Sequence, residues 1–188
     1  MTTERPAYAP GCPAKGNHEP LPNLRVAFPW IEQAPSMTRA VTAFTVDCTP
    51  CVEHHQGLAG QRPELIHQAL WLWLGTVAFT RVSMELPPVA TAADMMDGLF
   101  ETLAASVPSM SQGPAIPTSK VLRAIPLSEV RTPEGDQANT WQHTDVQQAV
   151  DALNPEHREL AWADLITLLS GWYQGAARAH AEAEGRQA

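Results

Sequence analysis

Apolar and polar positions change period along the chain, and those changes predict its elements. Pro63 opens a stretch in which Leu65, Ile66, Ala69, Leu70, Trp73, Leu74, Val77 and Ala78 recur at helical spacing. Trp71, Leu72 and Phe79 make the other side apolar as well. That pattern predicts a central helix, buried on most of its circumference and ending before Pro87-Pro88. A second stripe, Ala161, Leu165, Leu168, Leu169, Trp172 and Ala176, follows Asn154-Pro155-Glu156, a cap with proline in the first turn. Thr91-Ala-Ala-Asp94 predicts a capping box, with Met95, Met96, Leu99, Phe100 and Leu103 as the inner face of the helix it opens. Thr144-Asp-Val-Gln147 predicts another box, for a helix ending at Asn154.

The period near the N-terminus is different. Leu24–Phe28 reads as a short strand closed by Pro29. In Arg39–Asp47, Val41, Ala43 and Thr45 alternate against Thr42, Phe44 and Val46, and the β-branched content favours a second strand. The link from Pro29 to Pro35 would make the two a hairpin. Asp47 is then the expected cap of a helix over residues 48–58. Val121–Ile125 reads as a further strand, and residues 1–23, 106–119 and 131–140 as loops. The expected fold is α+β and mostly helical. A small β-hairpin module over residues 1–60 packs on a body of four to five helices over residues 61–188.

Composition narrows the class. The chain of 188 residues is 44% hydrophobic, enough for a real core. Its formal net charge of -8 comes with no dense basic run, so no nucleic-acid partner is expected. Met1-Thr-Thr-Glu-Arg-Pro lacks the apolar run of a secretory leader, and Ala69–Phe79 is too short to span a bilayer. A cytoplasmic location away from the membrane is expected. Three cysteines, two of them in Cys48-Thr-Pro-Cys51, point to metal or redox chemistry rather than a disulfide framework.

Two thiols within one helical turn suit a tetrahedral ion, and they equally suit a redox dithiol. Cys12-x5-His18 before the predicted hairpin and Cys48-x2-Cys51 after it form two ligand pairs. The arrangement resembles a zinc ribbon or treble clef, which implies structural zinc on Cys12, His18, Cys48 and Cys51, with His54 or His55 as an alternative to His18. This reading gives every cysteine one job. Cys48-Thr-Pro-Cys51-Val-Glu-His-His55 is also similar to the active site of AhpD-like peroxidases and carboxymuconolactone decarboxylase relatives. There the resemblance implies a peroxide-reactive Cys51, a resolving Cys48 and His55 in proton transfer. The family's upstream glutamate falls here at Ser36. A thioredoxin-like reading needs a cis-proline loop at Ile116-Pro117-Thr118 and an aromatic residue where Asp47 stands.

The expected function is a non-enzymatic, zinc-stabilised interaction or regulatory protein whose partner is another protein. An AhpD-like thiol oxidoreductase is the alternative, and a subunit of a larger assembly is a further one. The chain has no Gly-rich phosphate loop and no His-Glu-x-x-His or Gly-x-Ser-x-Gly motif.

Overall fold

The computed structural model describes residues 9–19, 21–28, 30–95 and 116–185. Most of these residues are helical: α1 (Leu24–Ala27), α2 (Pro35–Thr45), α3 (Thr49–Gln61), α4 (Pro63–Ser83), α5 (Ile116–Ala124), α6 (His143–Asp151) and α7 (Pro155–Gly185), with a 3-10 turn at Ile31–Gln33. One small sheet pairs β1 (Ser128–Arg131) with β2 (Gln137–Thr140), antiparallel, with Ser128 opposite Thr140.

The predicted hairpin is not there: both of its strands are helices. For α2 the reason is visible in the side chains. Pro35 starts the helix, and Met37, Ala40 and Val41 fall on one buried face at helical spacing. Its threonines, which had favoured a strand, donate their hydroxyls back along the helix. Thr42 Oγ1 reaches the Thr38 carbonyl at 2.7 Å and Thr45 Oγ1 the Val41 carbonyl at 2.8 Å. The expected module is therefore helical where a zinc ribbon or treble clef would be β. Val121–Ile125 is likewise not a strand. Val121, Leu122 and Ile125 are buried as the inner side of α5 and its exit. The thioredoxin-like reading is overturned at the same place, because Pro117 stands in the first turn of α5. The stretch 131–140, expected as loop, contains β2 and the Gly135 turn.

The long helices follow their patterns. In α4 both sides are buried, through Leu65, Ile66, Ala69, Leu70, Leu72, Trp73, Leu74 and Val77, while Trp71 and Phe79 turn outward. α7 is the strut of the fold, with α1, α2, α3, α4 and α5 all packed against it. Its Leu165, Leu168 and Leu169 are buried, and Tyr173 donates its hydroxyl to the Pro22 carbonyl at 2.9 Å. Gly60 gives α3 its close approach to α7, since a Cβ there would meet the Glu159 side chain. Residues from Leu24 to Ala59 and residues of the later helices share one hydrophobic core.

The caps divide. Thr91 and Asp94 exchange the two bonds of a capping box, and Met95 is fully buried; Met96, Leu99, Phe100 and Leu103 lie outside the described residues. Asn154 Oδ1 accepts from the His157 amide at 2.8 Å, as a cap should. The Thr144 box does not form, because the helix starts two residues earlier, with Gln142 at the cap position and His143 as its first residue. Asp47 does not cap α3 either, and its actual position builds the site.

Candidate metal centre

α2 ends in a Schellman motif. The Cys48 amide donates to the Ala43 carbonyl at 2.9 Å and the Asp47 amide to the Phe44 carbonyl at 3.1 Å. Asp47 holds the left-handed position between them, at φ 52°. Aspartate tolerates that conformation better than most residues. This sharp turn leaves Cys48 as the N-cap of α3, with Thr49, Pro50 and Cys51 in the first helical turn. Both thiols thus sit at the same helix start.

The other pair comes from a coil of turns over residues 9–19. The Cys12 amide bonds the Ala9 carbonyl, the Lys15 amide the Cys12 carbonyl and the Asn17 amide the Ala14 carbonyl. Gly16, at φ 81°, lets the chain curl so that its amide points at Cys12 Sγ, 3.3 Å away. The coil then returns His18 to the same place.

The four side chains meet. His18 Nε2 lies 3.3 Å from Cys51 Sγ and 3.7 Å from Cys12 Sγ, and Cys12 Sγ lies 3.7 Å from Cys48 Sγ. All four ligand atoms fall within 4.8 Å of one another, so Cys12, His18, Cys48 and Cys51 could hold a metal ion. The three sulfurs are buried, and His18 is half-buried. The cysteines cluster with Ala9 and Ala43, apart from the main core, with Ala14 and Val52 packed against them. His54 and His55, the alternative ligands, are not in the four-residue group. With Cys51 they line a cleft beside it, together with Ser36 and Arg39 of α2 and Arg62.

Electrostatics without a cation are strained. The Gly16 amide lowers the Cys12 thiol, against burial, and bonds from Cys51 and Cys48 lower it further. Cys51 is pushed up to about 12, first by burial and then by the neighbouring Cys12 and Cys48. Clustered thiols cannot all ionise on their own, and a divalent cation reverses that balance because it binds the thiolates directly. His55 is pushed down to about 4, first by burial, then by His54, Arg39 and His18.

Spacing in the sequence pointed to the four residues that could hold a metal ion, but it gave no sign of Arg39 or Ser36. They face the cleft only because α2 is a helix that packs beside α3. No family model matches the chain, and neither a curated protein nor a solved structure is found to be similar to it.

Proposed function

We propose that Cys12, His18, Cys48 and Cys51 bind zinc as a closed, structural centre, in a non-enzymatic protein of interaction or regulatory type. The observation that carries the zinc reading is the spacing of the ligand atoms. Tetrahedral zinc, with Zn–S about 2.3 Å and Zn–N about 2.0–2.1 Å, requires S···S of about 3.8 Å and S···N of about 3.5 Å. Three of the six pairwise distances, 3.7, 3.7 and 3.3 Å, lie near that requirement, and all six lie within 4.8 Å. The donor set agrees, since three thiolates and one imidazole are typical of structural zinc and leave no coordination position for a substrate. The Gly16 amide on Cys12 Sγ is the kind of outer bond that orients a ligand. Zinc here would tie the 9–19 coil to the start of α3, where alanines and cysteines offer little apolar surface. A role in protein contact draws support from two exposed apolar side chains, Phe79 of α4 at 55% and Met84 just after the helix at 60%.

The test is metal analysis of protein purified without added metal. About one zinc per chain is expected, and Cys48→Ser or Cys51→Ser should lose it. Protein that carries no metal and still keeps the 9–19 coil ordered would refute the reading.

One observation favours the AhpD-like alternative. A helix precedes Cys48, and Cys51, His55 and Ser36 line one cleft. Serine at that place supplies no carboxylate to take a proton, and His18 stands against the Cys51 sulfur. A hydroperoxide assay with a dithiol reductant, run beside Cys51→Ser, separates the two readings. Turnover that depends on Cys51 would move the assignment to a thiol oxidoreductase.

A further inference from the structure

The cleft beside Cys51 has a lining that the metal does not explain. It has a volume of about 100 Å³, room for several water molecules. Its polar groups are Ser36, Arg39, His54, His55 and Arg62, with the sulfur of Cys51 at one edge. No aspartate or glutamate is among the described residues that line it. In a chain with 20 acidic and 12 basic residues, donors have been gathered here and carboxylates kept out.

The charges differ in how far they are offset. Arg62 donates from Nε to Glu64 at 2.7 Å, so its charge is largely answered. Arg39 pairs with no carboxylate among the described residues. His55, half-buried in the wall, is pushed down by burial and by three basic neighbours. Arg39 thus gives the cleft a cation that no described carboxylate offsets, and Ser36 and His55 stand in the same wall as hydrogen-bonding groups. The remaining wall is apolar, formed by Ala9 of the coil and by Leu58, Leu65 and Trp162. A concave site with an apolar wall and a few convergent polar groups is the common form of a small-molecule pocket.

We propose that this cleft binds the oxyanion group, carboxylate or phosphate, of a small organic acid, with Arg39 as the ionic anchor and Ser36 and His55 as hydrogen-bond donors. The apolar part of the acid would rest on Leu65 and Trp162. A planar guanidinium suits either oxyanion, because its paired N–H groups match two oxygens of a carboxylate or phosphate. The polar groups come from α2, α3 and the α3–α4 junction, while Ala9 of the 9–19 coil and Cys51 join the cleft to the metal site, so zinc content is followed alongside binding.

The test is a titration of the full chain with benzoate, phenyl phosphate and inorganic phosphate at constant ionic strength. The ring signals of His54 and His55 are followed by nitrogen-proton NMR, and zinc content is measured on the same samples. Saturable shifts are expected with at least one probe, and which probe saturates names the source of the oxyanion. Arg39→Gln should weaken that binding about tenfold or more, while Arg39→Lys restores part of it. Arg25→Gln removes an exposed arginine on α1 that pairs with Glu32 and should change nothing. Arg39 is exposed, so its variants should keep the helical signal and the metal content of the parent. Shifts that never saturate with any probe would overturn the inference, and so would equal affinity in the parent and Arg39→Gln.

Discussion

Removing the metal should release one segment and spare the rest. The eleven residues from Ala9 to Glu19 keep their backbone hydrogen bonds to themselves. Their polar links to the helices include those of Cys12 to Cys48 and of His18 to Cys51. Ordering backbone costs roughly 1–2 kcal/mol per residue, so fixing this coil costs roughly 10–20 kcal/mol. Its buried apolar return is small, from Ala9 and Cys12. Structural zinc supplies about 10–16 kcal/mol at neutral pH in small peptides, which is the size needed. α1, α2 and α3 are different, because they are held by the main core through Phe28, Met37, Val41 and Ala59. Chelation should therefore free the 9–19 coil and leave the helices folded. Lys15 is exposed at a positive-φ position inside the coil. Trypsin needs several residues of slack chain and should cut after Lys15 only once the coil is released. Cleavage mapped by mass spectrometry, beside a circular dichroism melt, reads both effects. Rapid cutting at Lys15 with chelator and slow cutting without it, over a largely retained melt, is the expected result. Equal cutting in both conditions would show that zinc does not hold the coil. Loss of the helical signal on chelation would show that the site supports the whole fold instead.

Leu168, 2% exposed on α7, should cost ~2–5 kcal/mol when changed to alanine, read by urea denaturation; a neutral change in the monomer with loss of self-association would make that stripe an interface. Asp47 holds φ 52°, so Asp47→Val should destabilise by ~1–2 kcal/mol and reduce zinc retention, while Asp47→Gly should be tolerated; retained zinc in the valine variant would refute the role of the turn. His55 is held at about 4 against an ordinary 6.5, mainly by burial. Below pH 6.5 the unfolded chain therefore binds a proton that the folded chain refuses. Stability that is complete above 6.5 drains away as pH falls toward 4. In chelator, the parent should lose more stability across that window than His55→Gln, and equal slopes in urea denaturation would exclude His55 as the cause. Removing the Tyr173 hydroxyl with Tyr173→Phe should cost ~1 kcal/mol through the lost bond to Pro22, measured by the same method.

The sequence alone determined the long helices and pointed to the four residues that meet at the candidate metal site. The apolar positions of α4 and α7 repeat over many turns, so their period is unambiguous, and Asn154 marks its boundary with a local bond that needs no distant partner. Cys12, His18, Cys48 and Cys51 are legible because few residue types can bind a soft divalent ion, and the chain has few thiols to spend on it. Tertiary structure decided what lay between. Over Pro35–Thr45, the pattern of Val41, Ala43 and Thr45 fits a strand face, while Met37, Ala40 and Val41 fit a helix face. So short a segment satisfies both periods, and packing against α3, α4 and α7 selects the helix. The same choice turned the expected β-hairpin site into one built from a coil and a helix start. It also carried Ser36 and Arg39 into the cleft beside Cys51, a placement set by how α2 lies against its neighbours and therefore by contacts that no local spacing records.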